Sequence, residues 1–275
     1  MIGSELNFLL LILAFLLLSI GSWHDIKTRE VADWIWLSMI GGGIAIHVFQ
    51  FLLLILAKES VFEYFTTWTI NIVFAFSLAF FLTFSGLGGE ADRIAFIAIG
   101  FISPVSPPLI IFQDPVYEIL IAITPRILGT FFNAYLITLP IPFLIFGYNI
   151  VNQHLYPDLY VFSNESKWKR FSIRFIGYPR QTQNLDMELE EKPWHFDFLE
   201  EFEDETGWSI LFRARLDTPE ADLTRKQELI SLIQNTEKRS IWIQPSLPFI
   251  FILMLGFFTD ILVGNLILLF MVILL

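Results

Sequence analysis

The 275-residue sequence is 55% hydrophobic, contains 30 Phe and carries a formal charge of −11. Its mean hydropathy of +0.63 is far more apolar than one soluble core requires, which excludes an ordinary water-soluble domain, and its acidity argues against nucleic acid as a partner. It has no Cys, which rules out disulfides, thiolate catalysis and cysteine-ligated zinc, and His24, His47, His154 and His195 are too scattered for an HExxH-type site, so neither a metal nor a cofactor is expected.

Crossing about 30 Å of hydrocarbon takes roughly 20 apolar residues. Windows at 6–23, 34–57, 66–87, 93–112, 126–150 and 247–275 reach that length. They predict an all-α polytopic membrane protein of about six transmembrane helices in a lipid bilayer. Pro104, Pro107 and Pro108 threaten to end the fourth early. The first window lacks a basic n-region and a small-x-small cleavage site and carries Glu5, so it is read as a retained helix.

Residues 151–243 break the pattern. This block holds 12 of the 17 Lys and Arg and 17 of the 28 Asp and Glu, and at 93 residues it is long enough for a small core of its own. "FSIRFIGYPR" (171–180) and "GWSILFRAR" (207–215) alternate as strands do, and 217–238 reads as a helix opened by Asp217, Pro219 and Glu220. The organisation expected is a membrane domain of five helices over 1–150, a small α+β insert over 151–243, and a last transmembrane helix over 244–275.

Orientation follows from the residues flanking the spans, because long loops cross regardless of charge. With both termini outside, the inner side receives Lys27, Arg29, Arg93, Lys167, Lys169, Arg170, Lys238 and Arg239, and the outer side only Lys58 and Arg126. The insert is then cytoplasmic. Trp23, Trp34, Trp36 and Trp242 fall near the inner boundary, as an aromatic belt would.

In this topology "SWHDIKTREVADW" (22–34) brings Asp25 to the inner face at the end of the first helix. "GLGGEADRIAF" (86–96) brings Asp92 to the same face at the start of the fourth. A carboxylate at the hydrocarbon edge is costly enough to demand a partner or a role. Two Asp held a few Å apart do not both ionise; one keeps a proton and the other acts as base, which suits delivery of water to an amide carbonyl and protonation of the leaving nitrogen. Gly88 and Gly89 would let an extended substrate backbone approach closely. Taken singly, Asp25 also reads as an acid in a polar loop and Asp92 as a helix cap beside a glycine turn.

"GGEAD" (88–92) with "DIKTREV" (25–31) resembles the GxGD aspartic peptidases of membranes, specifically archaeal preflagellin (pre-archaellin) peptidase, a relative of the type IV prepilin peptidases. "FFNAYLITLPIPFLIFGYN" (131–149) is similar to the family's fifth helix with its Asn-Ala pair and final Asn, "FIGYPR" (175–180) to its soluble segment, and "RSIWIQPSLPFIFILMLGF" (239–257) to the strand and Pro-x-x-Pro-Phe lead into its last helix. The resemblance implies that Asp25 and Asp92 are the catalytic pair, with Gly88, Gly89 and Glu90 as candidate substrate-binding residues. It implies as substrate a preflagellin or pilin-like precursor, in which a short basic leader precedes an apolar helix and is cut at the cytoplasmic membrane boundary. The chain departs from the pattern at Ala91, where the second Gly stands, a position at which archaeal members allow a small residue; at Glu90; and at Ile94, where relatives often have Lys. Lacking the cysteine-rich zinc region of bacterial prepilin peptidases, it is expected to cleave without methylating.

The acidic stretch 186–205 would attract a basic leader, or simply form a solvated face. Asp260, inside the last window, is either functional or a partner for a neighbouring helix. His47 and Gln50 read as packing polars and Arg126 as an outer-interface anchor. Pro245, Ser246 and Leu247 resemble the Pro-Ala-Leu element of presenilins, but there the two aspartates lie on consecutive helices, which disfavours that identity. The main alternative is an ion-coupled transporter using Glu90, Asp92 and Asp260; no internal repeat of the kind such folds show is found. A non-catalytic assembly protein is the third reading.

Overall fold

The computed structural model describes residues 2–85, 89–105, 124–160, 166–182, 195–203, 207–210, 219–236 and 239–274, with 117, 120, 185, 189 and 190 between them. In chain order the helices are α1 (Ile2–Thr28), α2 (Asp33–Ala57), α3 (Val61–Ser85), α4 (Glu90–Ile102), α5 (Arg126–Thr138), α6 (Pro140–Leu155), α7 (Lys167–Ile176), α8 (Pro219–Asn235), α9 (Phe249–Leu262) and α10 (Leu266–Leu274). The strands are β1 (Tyr178–Gln181), β2 (Phe196–Phe198), β3 (Glu200–Glu203), β4 (Gly207–Ile210) and β5 (Ser240–Pro245). They fall into two units, Met1–Thr138 with Pro248–Leu275, and Leu139–Leu247.

Four stretches are long and apolar enough to cross a membrane: Glu5–Thr28, Asp33–Ala57, Val61–Phe84 and Arg126–Leu155. Phe249–Leu262 and Leu266–Leu274 make a fifth if counted as one span bent by 52°. Where hydropathy predicts a fourth span over 93–112, α4 has 13 residues and stops before Pro104, a length of about 20 Å at 1.5 Å per residue. Residues 106–112 of that window lie outside the described residues.

The first unit is packed through small residues, which let helix backbones approach where lipid supplies no hydrophobic drive. A Cβ on Gly100 of α4 would stand 2.4 Å from the Ala75 Cβ of α3, and one on Gly256 of α9 would stand 2.6 Å from the Thr130 carbonyl of α5. Leu10, Leu18, Met39, Phe96, Ile99, Ile127, Leu253 and Phe257 fill the common core. Buried amides tie the helices at fixed depth. Asn71 of α3 donates to the Gly100 carbonyl at 3.1 Å and accepts the Ile127 amide at 2.9 Å. Asn133 of α5 donates to the Gly264 carbonyl at 3.0 Å and accepts the Leu266 amide at 2.9 Å, satisfying both sides of the break between α9 and α10.

In the second unit, β5 is the centre of an antiparallel sheet in the order β1-β5-β2, with Tyr178 opposite Ile243 and Phe198 also opposite Ile243 on the other side. β3 and β4 form a separate antiparallel pair. Helix α8 contributes Leu229, Ile230 and Ile233 to a core with Phe196, Phe198, Ile241 and Ile243. The strand expected over 171–180 is mostly helix. Ser166 caps α7 by accepting the Lys169 amide, and Phe171 and Phe175, four residues apart, pack with Phe146 of α6; an alternating pattern yields to the face that finds a partner. The strand expected over 207–215 is seen at β4, and 211–218, with the helix start at Asp217, lies outside the described residues.

Candidate active site

Helix α9 begins after Pro248, so its first amides have no carbonyl one turn back to receive them. One of them is met from far away in sequence: the Ile250 amide donates to Asp25 Oδ2 of α1 at 2.8 Å. A carboxylate at a helix N-terminus is stabilised by both the hydrogen bond and the dipole. The other oxygen, Asp25 Oδ1, lies 3.7 Å from the Arg29 guanidinium one turn on. Asp25 is 7% exposed.

Asp92 is the third residue of α4, and the Gly89 amide before the helix donates to its Oδ2 at 2.7 Å. This is the reciprocal half of a capping box, with the acid reaching back to the residue that opens the helix. Gly89 has φ −76°, a conformation open to any residue, and a Cβ there would meet only Asp92 Oδ2 at 3.7 Å. Neither backbone strain nor local crowding therefore requires glycine at 89. Gly88 lies outside the described residues.

Asp25 is within electrostatic reach of Asp92, and Arg29 within reach of both. Tyr135 of α5 is near enough to sense Asp92, and Phe249 packs against both Tyr135 and Phe96 at centroid distances of 6.3 and 6.1 Å. The site is thus built from the end of α1, the start of α4 and the start of α9, closed on one side by aromatic rings. Glu90 is exposed at the first position of α4, on the surface beside the pair. Among the described residues no cluster of three His, Cys, Asp or Glu suited to a metal ion occurs.

Other singled-out residues have definite places. Asp260 is 4% exposed and forms an ion pair with Arg126 at 3.2 Å, and Arg126 also donates to the Asp260 carbonyl. Arg126 therefore faces a buried acid instead of the lipid headgroups expected for an interface anchor. Gly129 makes the room: a Cβ there would stand 1.8 Å from Asp260 Oδ1. His47 and Gln50 both bond the Tyr64 hydroxyl. Of the expected tryptophan belt, Trp23 and Trp34 are exposed, but Trp36 is buried in the helical core and Trp242 in the second unit against Tyr160. The acidic stretch is largely engaged where it is described. Glu200 accepts the Trp242 amide at 2.9 Å, Glu201 pairs with Arg225 at 3.7 Å, and Asp197 with the buried Lys226 at 2.8 Å.

Sequence reasoning did not single out Asn71 or Tyr117, whose hydroxyl donates to the Val263 carbonyl at 2.7 Å. A lone amide inside an apolar window was the available signal for Asn71. Asn149, the final Asn of 131–149, donates to the Arg174 and Gly177 carbonyls and accepts the Tyr160 hydroxyl, so it is a structural tie within the second unit.

Asp25 of α1 and Asp92 of α4 thus stand in a unit of apolar helices, and the class of the protein, a peptidase, comes from two family matches. Residues 11–147 match the Type IV leader peptidase family. Residues 169–266 match the Archaeal Peptidase A24 C-terminus Type II. The chain belongs to the archaeal preflagellin peptidase-like branch of the type IV leader peptidases, and it is a peptidase of prepilin and preflagellin leader processing. No curated protein matches it. The family matches give the ion-transport alternative no support.

Proposed function

We propose that the protein is an aspartic endopeptidase of the GxGD type that removes the short basic leader from archaellin or pilin-like precursors at the cytoplasmic membrane boundary, with Asp25 and Asp92 as its catalytic pair. The observation that carries this reading is that Asp25 of α1, bound to the amino end of α9, lies within electrostatic reach of Asp92 at the start of α4. Asp25, held by a backbone amide and a guanidinium, has the partners of an anion and takes the base role. It draws a proton from water as the oxygen attacks the scissile carbonyl. Asp92 then gives a proton to the amide nitrogen as the C–N bond breaks, leaving a leader carboxyl and a new amino terminus. Lys27, Arg29 and Arg93 on the site's side of the spans favour the cytoplasmic face for this chemistry, both termini and the strand-bearing insert being assigned by the same charge bias.

The test is cleavage of co-expressed pre-archaellin in membranes by wild type, Asp25→Asn and Asp92→Asn, read as a mobility shift. Loss in both variants with folded protein retained is expected. Cleavage surviving in either removes that residue from the pair.

A further inference from the structure

Beside the site, α3 and α4 line an open cleft of about 650 Å³. Its walls include Phe76 and Phe80 from α3 and Ile97 from α4, and its polar end holds Thr83, Glu90 and Arg93. Seven residues separate Phe76 from Thr83, and seven separate Glu90 from Ile97, so the cleft runs about 10 Å along both helices. Its polar end and Asp92 occupy one turn of α4. Arg93 is committed: its Nε donates to the Gly89 carbonyl and its guanidinium to Thr83 Oγ1, both at 3.3 Å. Glu90 is exposed and has no partner among the described residues.

We infer that this cleft seats the apolar helix of the precursor, with a basic residue of the leader at Glu90; the inference rests on the leader-peptidase reading above. The order of the chemistry fits. A free carboxylate at the boundary is followed inward by aromatic and aliphatic walls, as a basic leader is followed by an apolar helix. A lipid tail would suit the walls, but Glu90 repels an anionic headgroup at the mouth. Asp92 does not line the cleft but lies on the same turn of α4 as Glu90 and Arg93, so a leader residue at Glu90 puts the junction of leader and helix, where cleavage falls, within a turn of the acid.

The experiment puts the photocrosslinker p-benzoylphenylalanine at position 80, or at the lipid-facing position 52 of α2 as control, in full-length Asp92→Asn protein in membranes with pre-archaellin. The yield from position 80 should exceed that from 52 by about tenfold, fall by a similar factor when the leader's Lys and Arg are changed to Glu, and recover with Glu90→Lys. Equal yields, insensitivity to leader charge, or adducts to lipid alone overturn the inference. Wild-type cleavage of the same precursor runs in parallel. Cleavage without crosslinking removes the cleft and leaves the peptidase standing, whereas no cleavage of any precursor and no crosslink remove both.

Discussion

Helix α9 meets one buried acid at its amino end and carries another ten residues further on. The Ile250 amide donates to Asp25, whereas Asp260 sits about 15 Å along the helix, paired with Arg126. The surroundings differ in kind. Asp260 receives a guanidinium on its carboxylate and its carbonyl, in a space vacated by Gly129, which fills the site and neutralises it. Asp25 takes the Ile250 amide on Oδ2 and only a longer guanidinium approach, 3.7 Å from Arg29, on Oδ1, while Asp92 takes the Gly89 amide on Oδ2 and has Asp25 within electrostatic reach. A neutralised, filled acid holds helices together. Acids held chiefly by single backbone donors keep oxygen lone pairs open, which is what the proposed chemistry asks of Asp25 and Asp92.

The largest effect that tests this contrast is on turnover. Asp25→Asn and Asp92→Asn should each lower kcat by about 10²–10⁴-fold or more, the range of a lost general acid or base, with thermal unfolding in detergent little changed. Asp260→Asn should do the reverse. If it abolished cleavage at unchanged stability, the division between a chemical end and a structural end of α9 would fail.

The second effect is on folding. Asp260→Ala leaves the Arg126 charge buried and should destabilise by about 3–5 kcal/mol, while replacing both partners with apolar residues, Arg126→Met with Asp260→Leu, should restore most of it. Tryptophan-monitored melting of both proteins checks this. Failure of the double replacement to recover would mean that the charges do something besides hold α9 to α5.

The two acidic clusters were unequally legible. Asp25 and Asp92 stand out in the sequence because each interrupts or ends an apolar window, and the motif spacing separates Asp92 from Glu90. Asp260 was visible as an acid in a span, but its partner was not, since Arg126 lies 134 residues away at the edge of another helix. Asn133 and Asn149 appeared only as letters in a family pattern. Their roles lie in hydrogen bonds to distant carbonyls, which no local spacing encodes. The spans were legible from hydropathy in number only roughly, because a bend at 263–265 divides one and Pro104 limits another. In the second unit, alternation at 171–175 misled because Phe171 and Phe175 match both periods, and α6 decided between them.

A smaller effect should come from Asn133. Asn133→Leu strips partners from the Gly264 carbonyl and the Leu266 amide, at about 1–3 kcal/mol for each group left unsatisfied, less what local relaxation recovers. Hydrogen exchange at α10 amides should rise while cleavage per folded molecule holds. Loss of cleavage without faster exchange would instead connect the break in α9–α10 to the chemistry.

The smallest effect sharpens the contrast from outside the bundle. Glu200 was a candidate for attracting the leader, yet its Oε2 accepts the Trp242 amide at 2.9 Å from a site 6% exposed. Glu200→Gln keeps an acceptor there and trades an ionic hydrogen bond for a neutral one, which should cost about 1 kcal/mol of stability. A carboxylate turned inward to a backbone amide does little for a diffusing cation, so the Michaelis constant for pre-archaellin and its salt dependence should stay as in wild type. If the constant rose and lost its dependence on salt, the charge of Glu200 would be acting on the substrate through the strand it supports, and the acidic stretch would join Asp25 and Asp92 on the functional side of the comparison.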